Sequence, residues 1–91
     1  MEMKWETIGH LNKEYHLCFV KEEEWGDYLS VGAVSVSGSD PSIFIWAVKG
    51  GFPNGFAGSL EEARAALCLC LQTEFFDKGL VPWQTNFISL N

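Results

Sequence analysis

The apolar residues change their period once along this chain, and that change limits the fold. Through Glu14 to Val20 the side chains alternate: Tyr15, Leu17 and Phe19 on one face, His16, Cys18 and Val20 on the other. Period two with aromatics predicts a strand. From Ser59 onward the period is helical. Ser59-Leu60-Glu61-Glu62 is a capping box, in which the Ser hydroxyl accepts from the N3 amide and Glu62 reaches back. The spacing predicts a helix from this cap to about Phe76, with Gly79 as the stop.

The other strands come before that switch. Trp5 to Ile8 is a first strand, followed by a turn over Gly9-His10-Leu11-Asn12-Lys13. Tyr28 to Ser37 is another strand, in which Leu29, Val31 and Ala33 oppose Val34 and Val36. Its change of phase means either that one face is less buried or that Gly32 marks a bulge. Gly38-Ser39-Asp40-Pro41-Ser42 is a turn. Ile43 to Val48 is almost continuously apolar, as in a central strand with both faces at least partly covered, with Trp46 and the strand in the core. Gly50-Gly51-Phe52-Pro53-Asn54-Gly55 reads as a loop. It lacks the Lys and Ser/Thr of a phosphate-binding P-loop. A final strand near Asn86 to Leu90 is a further expectation. Strands followed by one helix give an α+β fold: an antiparallel sheet of three to five strands with one helix packed across one face. Residues 1–91 are expected as a single domain, since one core is usual at this length.

Placed on a wheel, Leu60, Ala63, Ala66, Leu67, Cys70 and Leu71 share the face that packs on the sheet. Glu61, Arg64 and Gln72 lie to one side. Leu69 and Phe76 fall on the far side and need a cover. The segment Leu80 to Leu90 is apolar and is one candidate for it. A partner or a second copy, forming a homodimer, is the other.

Composition narrows the function classes. Twelve acidic against six basic residues give a net charge of -6. A general nucleic-acid binder needs a positive face, so direct nucleic-acid binding is not expected. At 47% apolar, the chain is not a disordered one. No apolar run approaches the roughly 20 residues of a membrane span. The opening Met1-Glu2-Met3-Lys4-Trp5-Glu6 lacks a signal-peptide core. Together with an odd set of cysteines, Cys18, Cys68 and Cys70, this predicts a reducing, cytoplasmic setting.

Chemistry-bearing groups are few. His16 and Cys18 lie two apart on one strand and share a face, but no third orienting group is identifiable. Cys68 and Cys70 lie two apart on a helix, so their thiols diverge by about 200° and do not clamp one metal ion. No enzyme activity, cofactor or metal site is expected. The most suggestive surface is Glu22, Glu23, Glu24, Trp25 and Asp27, carboxylates around an aromatic anchor. This is either a solvated hairpin tip or a contact surface for a basic partner. With Asp40, Glu61 and Glu62 it would extend a negative field that competes with nucleic acid for a positive groove.

Ile43-Phe44-Ile45-Trp46-Ala47-Val48, then Gly55-Phe56-Ala57, then Ser59-Leu60-Glu61-Glu62-Ala63 form a layout that resembles small phage and mobile-element proteins, including inhibitors of the anti-CRISPR type. The resemblance implies a non-enzymatic inhibitor in the host cytoplasm that blocks a basic, nucleic-acid-handling protein or complex by surface contact. Glu22, Glu23, Glu24, Trp25, Asp27, Leu69 and Phe76 are the residues expected to carry that contact. Leu60-Glu61-Glu62-Ala63 after antiparallel strands is also similar to HicB-type antitoxins, although the glycine-turn-aromatic opening of that family is missing. An immunity protein or antitoxin for a basic toxin, or a homo-oligomeric structural protein, are the alternatives.

Overall fold

The computed structural model describes residues 2–11, 13–21 and 27–82. Five strands, β1 (Glu2–His10), β2 (Lys13–Lys21), β3 (Leu29–Val36), β4 (Phe44–Val48) and β5 (Asn54–Ala57), precede the helix α1 (Leu60–Glu74). A 3-10 turn, Phe76–Lys78, follows the helix. The strands form one antiparallel meander in the order β1-β2-β3-β4-β5. The α+β class, with the helix on one face of an antiparallel sheet, therefore stands.

The pleat decides which residues meet the helix. On β2, His16, Cys18 and Val20 are buried while Tyr15, Leu17 and Phe19 are only half-buried. Val31, Val34 and Val48 join the buried set from β3 and β4, and α1 closes it with Ala63, Leu67 and Leu71. The phase change in β3 is a bulge. Cys18 faces Gly32 but Phe19 faces Ser30, so Val31 is the extra residue. The insertion lets both Val31 and Val34 reach the core. Gly32 beside it is required by space. A Cβ there would lie 2.8 Å from the Ala47 carbonyl oxygen and 2.9 Å from Leu67 Cδ1.

The Ser59 half of the capping box forms, Oγ accepting from Glu62 N at 3.1 Å, while Glu62 Oε2 reaches back one residue further and accepts from Gly58 N at 3.2 Å. Two acidic residues in the first turn, Glu61 and Glu62, suit the helix dipole.

Four expectations need correction. The first strand is longer than Trp5 to Ile8, running Glu2–His10 and pairing with β2 along its whole length. The segment after Gly51 is not all loop, because Asn54–Ala57 adds a fifth strand to β4. Ile43 to Val48 is at least partly covered on both faces, as expected, but the strand is not all core. Val48 alone in β4 is buried, and Trp46 is half-buried against the core, because the helix lies on one side only. Finally, α1 ends at Glu74 rather than Phe76. Phe75 is the C-cap and is buried, and Gly79 takes the left-handed stop at φ 72°. The expected strand near Asn86 to Leu90 lies outside the described residues.

Candidate partner-binding surface

The predicted contact residues fall in different places. Glu22, Glu23, Glu24 and Trp25 lie outside the described residues. Asp27 is exposed at the entry to β3. Leu69 is 65% exposed in the middle of α1, on the side away from the sheet. Phe76 is not on that face. The helix has already ended, and the 3-10 turn folds its ring back, half-buried, against the core. Phe76 therefore does not belong with Leu69 as an outward anchor.

α1 carries its exposed carboxylates at its two ends, with Leu69 between them. Glu61, Glu62 and Glu74 are exposed, and Asp77 continues the charge into the 3-10 turn. Lys78 is engaged by Glu74 at 3.1 Å. The other cation of the helix, Arg64, does not join this surface. Periodicity placed it beside Glu61, yet its long side chain turns toward β1 and β2. Its guanidinium lies 4.9 Å from the Trp5 ring centre, and Nη2 is 3.3 Å from His16 Nδ1. Cation–π attraction to an indole offsets part of the desolvation. Arg64 Nε is buried and has no hydrogen-bond partner among the described residues. The sequence signal for this inward turn is faint: an Arg one turn before Cys68, facing a strand with Trp5. Its result is that the outer helix surface keeps its negative charge.

Beside Leu69 runs an open groove of about 400 Å³. Trp46, Pro53, Leu69, Cys70 and Glu74 line it. It forms because β5 is short and carries Gly55 under the Trp46 indole. A Cβ at Gly55 would lie 2.8 Å from that ring. The indole thus lies over the β5 backbone and forms one apolar wall of the groove.

The nucleophile-like groups are placed differently. His16 is 7% exposed. Arg64 can only donate, so His16 Nδ1 is an acceptor, and the ring proton lies on Nε2, 3.9 Å from Glu14 Oε2. Thr7 Oγ1 stands 3.0 Å from the same Nδ1. Cys18 is fully buried, and burial pushes its thiol up to about 12, with Cys68 adding and Arg64 opposing. That environment favours the neutral thiol over the reactive thiolate. The Cys68 and Cys70 side chains diverge. Cys68 Sγ lies 3.6 Å from Met3 Sδ, over β1, whereas Cys70 lines the groove on the opposite flank. Burial raises both thiols as well. Among the described residues, no group of three His, Cys, Asp or Glu side chains is placed to hold a metal ion. None of the described helices is long and apolar enough to cross a membrane.

Comparison with protein-family models, with curated proteins and with solved structures returns no match.

Proposed function

We propose that this chain is a non-enzymatic, acidic binding protein, of the anti-CRISPR-like kind that phages encode, which blocks a basic nucleic-acid-handling complex by surface contact. The observation that carries this reading is the outer side of α1. Exposed Leu69 shares its groove with Glu74, Glu61 and Glu62 are exposed in the first turn of the same helix, and the Arg64 guanidinium turns away to Trp5. An apolar anchor inside a charged rim is the usual composition of a binding hot spot. The negative rim speeds encounter with a positive groove and stands in for nucleic acid there. The groove lined by Trp46 and Pro53 gives a partner side chain a place to insert beside Leu69.

The test is affinity capture from a bacterial lysate with immobilised wild-type protein and with a Leu69→Lys, Glu61→Lys, Glu62→Lys variant. The expected result is a basic nucleic-acid-handling protein on the wild type, eluting as salt rises and at least tenfold depleted on the variant. Equal capture by both would remove α1 from the account. A Glu22→Gln, Glu23→Gln, Glu24→Gln variant run in parallel reports whether that acidic run shares the contact. If the captured protein is a basic toxin, the immunity or antitoxin reading replaces the anti-defence one on the same surface.

A further inference from the structure

The groove beside Leu69 has a chemistry that narrows what can enter it. Trp46 and Pro53 stand on the sheet side, and Leu69, Cys70, Thr73 and Glu74 on the helix side. At about 400 Å³ it lies near the lower end of ligand pockets, with room for one long side chain. Its surface is mostly apolar. The Trp46 indole rests over the β5 backbone at Gly55, so its other face is left for the groove.

The side-chain oxygens that α1 adds to this surface are acceptors. Thr73 Oγ1 donates its proton to the Leu69 carbonyl oxygen at 2.9 Å, so the hydroxyl oxygen is left to accept. Glu74 brings a carboxylate, and its charge is felt inside the groove: burial, and after it the Glu74 charge, push the Cys70 thiol up and keep it neutral. Lys78 Nζ lies 3.1 Å from Glu74 Oε2, with both side chains more than half exposed. An exposed pair of this kind is weak and yields to a better placed donor. An apolar wall, an open indole face and two acceptors together suit a long side chain whose head carries positive charge and only donates. The chain already seats one such head on an indole, since the Arg64 guanidinium lies 4.9 Å from the Trp5 ring centre.

Resting on the proposal that α1 meets a basic protein, we infer that this groove takes an arginine side chain of that partner. The methylene stem lies along Leu69 and Pro53, and the guanidinium stacks on Trp46 while its N–H groups donate to Glu74 and Thr73. Arginine fits better than lysine here. Its planar head stacks on an aromatic face and presents several donors at once, whereas an ammonium is a compact and strongly hydrated point charge. A leucine would cover the apolar wall but would bring no donor to the carboxylate. The charge of the groove therefore selects its occupant, and its apolar wall supplies the contact area.

Titrating the 15N-labelled full chain with blocked Gly-X-Gly peptides, X being arginine, lysine, citrulline or leucine, tests this. The arginine peptide should bind saturably in the millimolar range, with shifts centred on the Trp46 indole N–H and the amides of Leu69, Thr73 and Glu74. Its affinity should exceed that of the citrulline peptide, its neutral isostere, at least fivefold, and that of the lysine peptide at least twofold. Glu74→Gln should erase the difference between arginine and citrulline, and Lys78→Ala should raise the arginine affinity. Both positions are exposed, so far-UV circular dichroism should not change. Citrulline or leucine binding as well as arginine would overturn the assignment, because apolar area alone would then be read. Lysine binding as tightly as arginine would overturn it as well, and so would an absence of shifts at the groove with every peptide, whatever then occupies it. The peptides need no captured partner, so their failure leaves the capture of a basic protein by α1 to stand or fall on its own result.

Discussion

Cys18 sits where β1, β2 and β3 meet under the helix, and its ionisation is tied to folding. Its thiol ordinarily titrates near 9.0, and burial raises it to about 12 in the folded chain. A raised thiol means that the folded state holds a proton that the unfolded state releases. The stability this represents is fully present below pH 9 and is lost as pH rises from 9 toward 12. Urea midpoints at pH 7.5 and pH 10.5 should therefore fall more for wild type than for Cys18→Ala, and the difference between the two slopes isolates this group. Equal slopes would mean that Cys18 is not held in a dry core. His16 beside it illustrates what sequence can and cannot supply. Alternation placed His16 and Cys18 on one face, correctly. The ring's partners, Thr7 and Arg64, come from 9 and 48 residues away, and no local pattern announces them.

At the scale of elements, the helix was legible because its cap, its dipole charges and its apolar stripe all agree. Its end was not. Glu74-Phe75-Phe76 continues the apolar pattern, and only tertiary packing of Phe75 decides where the turn tightens to 3-10. β2 and β3 were legible from alternation, and the broken phase of β3 pointed to the bulge next to Gly32. β5 was hidden. Its four residues, Asn-Gly-Phe-Ala, have low strand propensity and follow Gly50, Gly51 and Pro53. They pair because β4 offers a free edge, a property of the fold and not of the segment. Gly32 tests the packing of α1 on the sheet. Gly32→Ala forces a methyl group against the Ala47 carbonyl and Leu67, and overpacking of this kind costs roughly 1–3 kcal/mol. A chemical denaturation midpoint unchanged by Gly32→Ala would show that α1 does not lie this close to β3.

For the whole molecule, the two sides of the sheet differ in what covers them. One side is covered by α1, which carries exposed Leu69 between exposed carboxylates at its two ends. The other carries Ile8 and Phe56, both exposed. Of the two residues expected on the outer side of α1, Leu69 is exposed there and Phe76 is not, because the wheel was carried past the true end of the helix. Glu74 and Asp77 add to the acidic rim, and the inward turn of Arg64 keeps that rim negative. The central claim is that α1, and not the sheet, meets the basic partner. Titrating the captured partner into 15N-labelled protein and following amide shifts tests it most directly. The account predicts that changes concentrate at Glu61, Glu62, Leu69, Thr73 and the Pro53 loop, and weaken as salt rises. Shifts confined to β1 and β2, or shifts insensitive to salt, would contradict it.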